Sequence, residues 1–156
     1  MFGNQEIEED LFIEELSKSG QVHVLKKSKN IFITTVNNIK VDFVNYKYPF
    51  IDEIKIIETI RIASKKEIAA MKLNAIAGRG SKKDFIDLFF LTKSYSLKEM
   101  MEFYTQKYND GSEFMVLKSL TYFEDADQEQ TPKMFNNFDW NYCKETIENE
   151  FIKLNQ

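Results

Sequence analysis

The hydrophobic period of this chain changes part-way along it, and that limits the folds it can adopt. Between Val22 and Val44 the residues fall into short β-branched or alternating runs, whereas from Ser64 onward apolar residues recur at helical spacing. Val22 to Leu25 alternates, Ile31 to Val36 is rich in Ile, Thr and Val, and Ile39 to Val44 alternates again. Asn37-Asn38 between the last two runs predicts a hairpin with a type I′ turn. Counting by two along that last run puts Lys40, Asp42 and Val44 on one face and Ile39, Val41 and Phe43 on the other.

Helices are expected on both sides of these strands. Ile7, Leu11, Phe12 and Leu16, with Gly20 in a C′ position, predict a helix over 5–19. Ser64 with Glu67, and Ser96 with Glu99, have capping-box spacing ahead of apolar runs. Gly78 and Gly80 end the first of these helices and Ser81 opens the next. A further helix is expected over 112–124, then an acidic loop over 125–138 containing Pro132, then a terminal helix capped by Asp139 and running to about Leu154. Residues 50–63 fit either a strand or an extended loop. Helix, strands and then a run of helices is an α+β order. The expected organisation is an α/β region over 1–63 followed by a helical lobe over 64–156, together forming one compact unit.

With only 5 glycines and 2 prolines in 156 residues, a Pro/Gly-rich disordered chain is excluded and a turn-dense β-sandwich is disfavoured. The 14 phenylalanines call for a packed core. No apolar run approaches the ~20 residues of a membrane span. The opening Met1-Phe2-Gly3-Asn4-Gln5-Glu6 has neither the basic nor the apolar region of a signal peptide. Cys143 is the sole cysteine, which excludes an internal disulfide and a cysteine-based metal site and suggests a reducing cytoplasm. The sole histidine, His23, leaves little room for zinc or Ser–His chemistry. Walker loops and dinucleotide fingerprints are also absent.

The net charge of −4 is unevenly spread. Residues 5–15 carry six acids and no base, and residues 124–150 carry eight acids and two bases. Residues 61–83 instead hold Arg61, Lys65, Lys66, Lys72, Arg79, Lys82 and Lys83 against one acid, Glu67. A basic island in an acidic chain is either a surface for phosphate or an acidic partner, or an ordinary solvated helix face.

Within that island Lys72 and Arg79 are seven residues apart, close to one helix face and about 10 Å apart along the axis. Lys72 lies among Ile68, Ala69, Met71 and Ala75. It is either a point-charge phosphate binder or a lysine whose stem covers the core edge. Arg79 sits between two glycines, where it either offers a bidentate fork beside exposed N–H groups or simply occupies a helix–helix turn. Asp84 and Asp87 share a helix face, and Lys83 with Asp87 is an i, i+4 pair. Asp84 suits the first turn of a helix. Asp87, between Ile86 and Leu88, needs a cationic partner if buried, and Arg79 or Lys72 would serve. Asp42, at the centre of a β-branched strand, is either a metal ligand or general base on an open sheet face, or a solvent-facing acid. His23 reads as ordinary. Phe89-Phe90, Met100-Met101 and Phe103-Tyr104 read as core, and Trp140 as a docking anchor.

The stretches IKVDFVNYKYPF, IRIASKKEIAAMKLNAIAGRGSKKDFIDLFFL and VLKSLTYFEDAD, with a later PKM, resemble the AbiEii/AbiGii toxin family of nucleotidyltransferase-like proteins. The resemblance runs from about Phe2 to Asp139. The family's Lys, following Arg and Lys-Asp-x-x-Asp-Leu run match Lys72, Arg79, Lys83, Asp84 and Asp87, and its strand Asp matches Asp42. It implies a partial polymerase-β-like nucleotidyltransferase sheet followed by a helical C-terminal lobe. It further implies NTP and Mg²⁺ binding, nucleotidyl transfer, a cognate antitoxin and tRNA or another RNA as partners. In that scheme Asp42 is the metal carboxylate, Lys72, Arg79 and Lys83 bind nucleotide, and Asp42, Lys72, Asp84 and Asp87 form the catalytic set. The family's Gly-Ser turn and Asp-x-Asp pair are missing, and Phe2-Gly3 looks like the residues just after them. The expectation is therefore a truncated form, inactive as it stands. The alternative is a non-catalytic module that binds RNA or antitoxin through segment 61–83.

Overall fold

The computed structural model describes residues 2–3, 8–154 and 156. The architecture is α+β with small sheets. The chain divides into two compact units, Met1–Tyr48 and Pro49–Gln156.

In the first unit the strands are β1 (Phe2–Gly3), β2 (Val22–Ser28), β3 (Ile31–Val36) and β4 (Ile39–Asn45), with helix α1 (Glu9–Ser17) between β1 and β2. Sheet order is β1-β4-β3-β2, antiparallel except for β1 beside β4. Val36 pairs with Ile39 across a two-residue turn, and Asn37 and Asn38 have φ of 49° and 67°. That is the expected type I′ geometry, which asparagine tolerates better than most residues. Asn37 also holds the turn from outside: its Oδ1 accepts from Gln21 N at 3.0 Å and its Nδ2 donates to Ser19 O at 3.2 Å. Phe32 and Phe43 are cross-strand partners and both are buried. Phe12 of α1 meets them edge-on, with ring centroids 6.3 and 4.9 Å away. The first helix was expected over 5–19. It is described from Glu9 to Ser17, and Ile7 lies outside the described residues.

The second unit opens with a hairpin of β5 (Lys55–Ile57) and β6 (Ile60–Ile62), so part of the ambiguous 50–63 stretch is strand. Six helices follow: α2 (Lys65–Gly78), α3 (Lys82–Leu91), α4 (Leu97–Lys107), α5 (Glu113–Leu120), α6 (Glu124–Gln128) and α7 (Trp140–Leu154). The expected 125–138 loop therefore begins as the short helix α6. Helix α2 packs on α3, α4 and α5, while α7 packs on the same three. Leu73, Ile76, Phe85, Leu88, Met100, Tyr104, Leu120 and Ile147 are among the buried side chains of this unit.

The two capping-box predictions diverge. At α4 the box is complete, with Ser96 Oγ accepting from Glu99 N and Glu99 Oε2 accepting from Ser96 N at 2.8 Å. At α2 only half of it forms. Ser64 Oγ accepts from Glu67 N at 3.2 Å, but the Glu67 carboxylate turns inward to Lys107 at 2.6 Å, with both side chains buried. Lys107 Nζ also donates to Pro49 O at 2.8 Å, and Glu67 accepts from Ile51 N. Trp140 is the anchor expected of it: its indole packs against Phe85 and Phe123 and its N–H donates to Asp127 at 2.6 Å. Phe90 departs from the core expectation and is 43% exposed.

Candidate functional site

The α2–α3 junction follows from its residues. Ala75 O accepts from Arg79 N at 2.8 Å and from Gly80 N at 3.2 Å, which ends α2. Gly80 then adopts φ +54°, a conformation with little penalty for glycine, and Ser81 restarts the chain as the N-cap of α3. Arg79 and Asp84 thus stand on opposite sides of a tight turn.

Asp84 is the hub. Its side chain is 0% exposed and its carboxylate accepts four hydrogen bonds. Arg79 Nε and Nη2 form a fork onto Oδ2 and Oδ1 at 2.7 and 3.0 Å. Ser81 Oγ donates to Oδ2 at 2.6 Å and Lys72 Nζ to Oδ1 at 3.1 Å. Lys72 Nζ also reaches Asp87 Oδ2 at 2.5 Å, so one ammonium bridges two carboxylates. Burial alone would raise the Asp84 pKa, but Arg79, Ser81 and Lys72 hold it down at about 2. For Lys72, burial pulls the pKa down, and Asp87 and Asp84 more than reverse this, leaving it raised. Arg79 is likewise raised, chiefly by its bonds to Asp84 against a smaller opposing effect of burial.

Lys72, Arg79, Asp84 and Asp87 therefore come together as one network. Lys83, on the same helix, is exposed and joins none of these contacts. Asp42 belongs to the first unit, on the exposed side of β4, with Lys40 Nζ 3.4 Å from its carboxylate. Among the described residues no three His, Cys, Asp or Glu side chains gather as a metal set. Asp84 is saturated by cationic and hydroxyl donors, whereas Asp87 has Lys72 on one oxygen and a side chain that is 48% exposed. With Lys72 and Arg79 already on its oxygens, Asp84 does not fit a Mg²⁺ ion, whose octahedral shell wants oxygen ligands free of competing cations.

The rest of the basic island is dispersed by its tertiary contacts. Lys82 is buried: its ammonium donates to Glu129 O and lies 5.1 Å from the Trp140 ring centroid. Lys82 N donates to Glu129 Oε2 at 2.9 Å, so the N-terminus of α3, a position that favours anions, already holds an internal one. Lys65 donates to Ser94 Oγ at 3.0 Å, and Lys66 lies 5.8 Å from the Phe103 ring centroid.

Sequence reasoning missed Glu129 as this cap and missed the buried Glu67–Lys107 pair. The second had a sequence signal. Lys107 follows Met100 by seven and Tyr104 by three, which places it on the apolar face of α4.

No described helix is long and apolar enough to cross a membrane. No protein-family model matches the chain. The chain is 40% identical over 119 residues to the uncharacterized protein aq_aa25 of Aquifex aeolicus, an alignment covering 74% of this chain and 58% of that protein. It thus spans little more than half the length of that relative. Two crystal structures from Helicobacter pylori are similar in backbone. One is a proposed nucleotidyltransferase, with TM-score 0.48 and 15% identity, covering 99% of this chain and 77% of that one. The other is JHP933, with TM-score 0.40 and 16% identity, covering 99% and 78%.

Proposed function

We propose that this chain is a nucleotidyltransferase-like protein of a bacterial toxin family that holds the phosphates of an NTP at the α2–α3 junction. The observation that carries the reading is Arg79. Its guanidinium is anchored by a fork to Asp84, yet its side chain remains 59% exposed. An arginine has five N–H donors. Two serve Asp84, and the others make no hydrogen bond to a described residue, although the Glu129 carboxylate is near enough to act on the guanidinium by charge. A charged donor fixed in place but open to solvent is pre-organised for phosphate, because its conformational freedom is already restricted before binding.

The remaining residues take roles from their geometry. Asp84 is a positioning residue: with a pKa near 2 and four donors around it, it holds Arg79 and Lys72 and does not take up a proton near neutral pH. Lys72 supplies a fixed positive charge, with Asp87 orienting it. The four-residue network is electrically neutral as a whole, so anion attraction depends on directed donors and on exposed Lys83. In a nucleotidyl transfer these groups would steady the charge that develops on the phosphates.

The test is binding of a fluorescent NTP analogue by the parent and by Lys72→Ala. Saturable binding by the parent that weakens about tenfold or more in the variant supports the reading. No binding by the parent, or equal binding by both, would overturn it.

The exposed cations Arg61, Lys65 and Lys83 favour a second reading, a non-catalytic module for RNA or an acidic antitoxin. A salt titration separates the two. RNA affinity falling with a log–log slope of about −0.7 per phosphate contact, with no NTP binding, supports the module.

A further inference from the structure

A second place in the helical unit has no part in that network. Phe89 and Phe90 of α3, the segment 134–139 and Tyr142 of α7 enclose a cavity of about 380 Å³. Aromatic rings dominate its wall. Phe138 lies 6.1 and 6.4 Å from Phe89 and Phe90, and Tyr142 lies 5.8 Å from Phe89, measured between centroids. Phe90 and Tyr142 are 43% and 60% exposed, and Phe135 at the mouth is fully exposed.

A fully exposed phenylalanine does nothing for the packing of the unit that carries it. One such residue is unremarkable, but several around one cavity mark a binding surface. The wall chemistry selects the occupant. Met134 is its one aliphatic side chain, and it has no Leu, Ile or Val, which with Met usually line a groove for an apolar helix. It does carry the carboxamides of Asn136 and Asn137, which can pair with the edge of a base. At the rim, the Lys93 ammonium stands 4.8 Å from the Phe90 ring centroid, where it adds a positive charge. The one acid of the lining, Asp139, is already engaged: its Oδ1 caps α7 by accepting from Asn141 N at 2.8 Å. Rings, amides and a cation together match a nucleobase and its attached phosphate.

We infer that the cleft between α3 and α7 takes an unpaired base of a single-stranded nucleic acid, stacked on its exposed rings, with Lys93 facing the neighbouring phosphate. The site is independent of the Arg79 network and does not rest on nucleotide transfer. Its probe is a fluorescein-labelled oligoadenylate, followed by anisotropy in the parent, Phe135→Ala, Tyr142→Ala and Lys93→Gln. Phe135 has no packing to lose, so its variant keeps the fold, which a melting curve verifies.

The expected result is binding by the parent that weakens roughly 5- to 100-fold in Phe135→Ala and in Tyr142→Ala. Lys93→Gln should flatten the salt dependence by about 0.7 in log–log slope. Equal binding by parent and Phe135→Ala, or displacement by AMP at the same concentration as by the strand, would overturn the proposal. So would a parent that does not bind the strand, which would leave the cleft to an apolar peptide anchor.

Discussion

Arg79 and Asp84, five residues apart across the α2–α3 turn, form a two-point fork: Nε to Oδ2 at 2.7 Å and Nη2 to Oδ1 at 3.0 Å. The arginine faces solvent while the aspartate is buried, so the pair ties an exposed charge to a fixed part of the core. Lys72 and Ser81 complete the aspartate's shell.

The fork has a pH signature. The folded-state pKa of Asp84 lies near 2, below the ordinary value of 3.8. The stabilisation is therefore fully present above about pH 4 and is lost as pH falls from about 4 towards 2. Allowing for screening around solvent-facing Arg79, it amounts to about 1–2 kcal/mol. In Asp84→Asn this acid-sensitive component should vanish, while stability near pH 7 drops below the parent's. Urea midpoints of both proteins between pH 5 and 2.5 check this. Parallel acid slopes would contradict it.

The buried Glu67–Lys107 pair gives a second test. Lys107→Met leaves a carboxylate buried without its cation and should cost about 3–5 kcal/mol. Glu67→Leu with Lys107→Met removes both charges and should recover much of that loss. A double-mutant cycle by urea denaturation measures the coupling. Additive single effects would show that the pair contributes no coupling.

Burial pushes the Cys143 thiol up to about 12, with only slight opposition from Lys144. Its Sγ lies 3.8 Å from Phe85 O, in the core. At pH 8 the thiolate is therefore scarce, and a disulfide reagent should modify the native protein at least ~10³-fold more slowly than the unfolded chain. Rapid native-state modification would show that α7 does not stay packed on α3.

What the sequence revealed was mainly local. Asn37-Asn38 predicts its own turn because the backbone preference lies in those two residues. Ser96 and Glu99 predict their box because both partners lie within one helical turn. The Lys72–Arg79–Asp84–Asp87 grouping was legible as spacing and as a resemblance, but the burial was expected at Asp87, whereas Asp84 is the fully buried acid that Arg79 and Lys72 serve and Asp87 is half exposed. What remained hidden depends on residues far apart in the chain. Glu67 finds Lys107 across 40 positions and Glu129 reaches Lys82 across 47. In the first case a residue that locally looked like half of a cap was claimed by the core. In the second, a distant carboxylate filled the helix N-terminus that local reasoning left open to an external anion. Charge counting alone treated Lys82 as part of a free basic surface, and only its packing on Trp140 shows otherwise.

If Arg79, held by Asp84, receives phosphate, isothermal titration of each NTP into the parent and into Arg79→Ala at ~50 mM salt will distinguish the two proteins. The expected result is saturable one-to-one binding by the parent and a loss of about tenfold or more in the variant, the scale of a charged hydrogen bond. A parent that binds no NTP, or two superimposable isotherms, would contradict it.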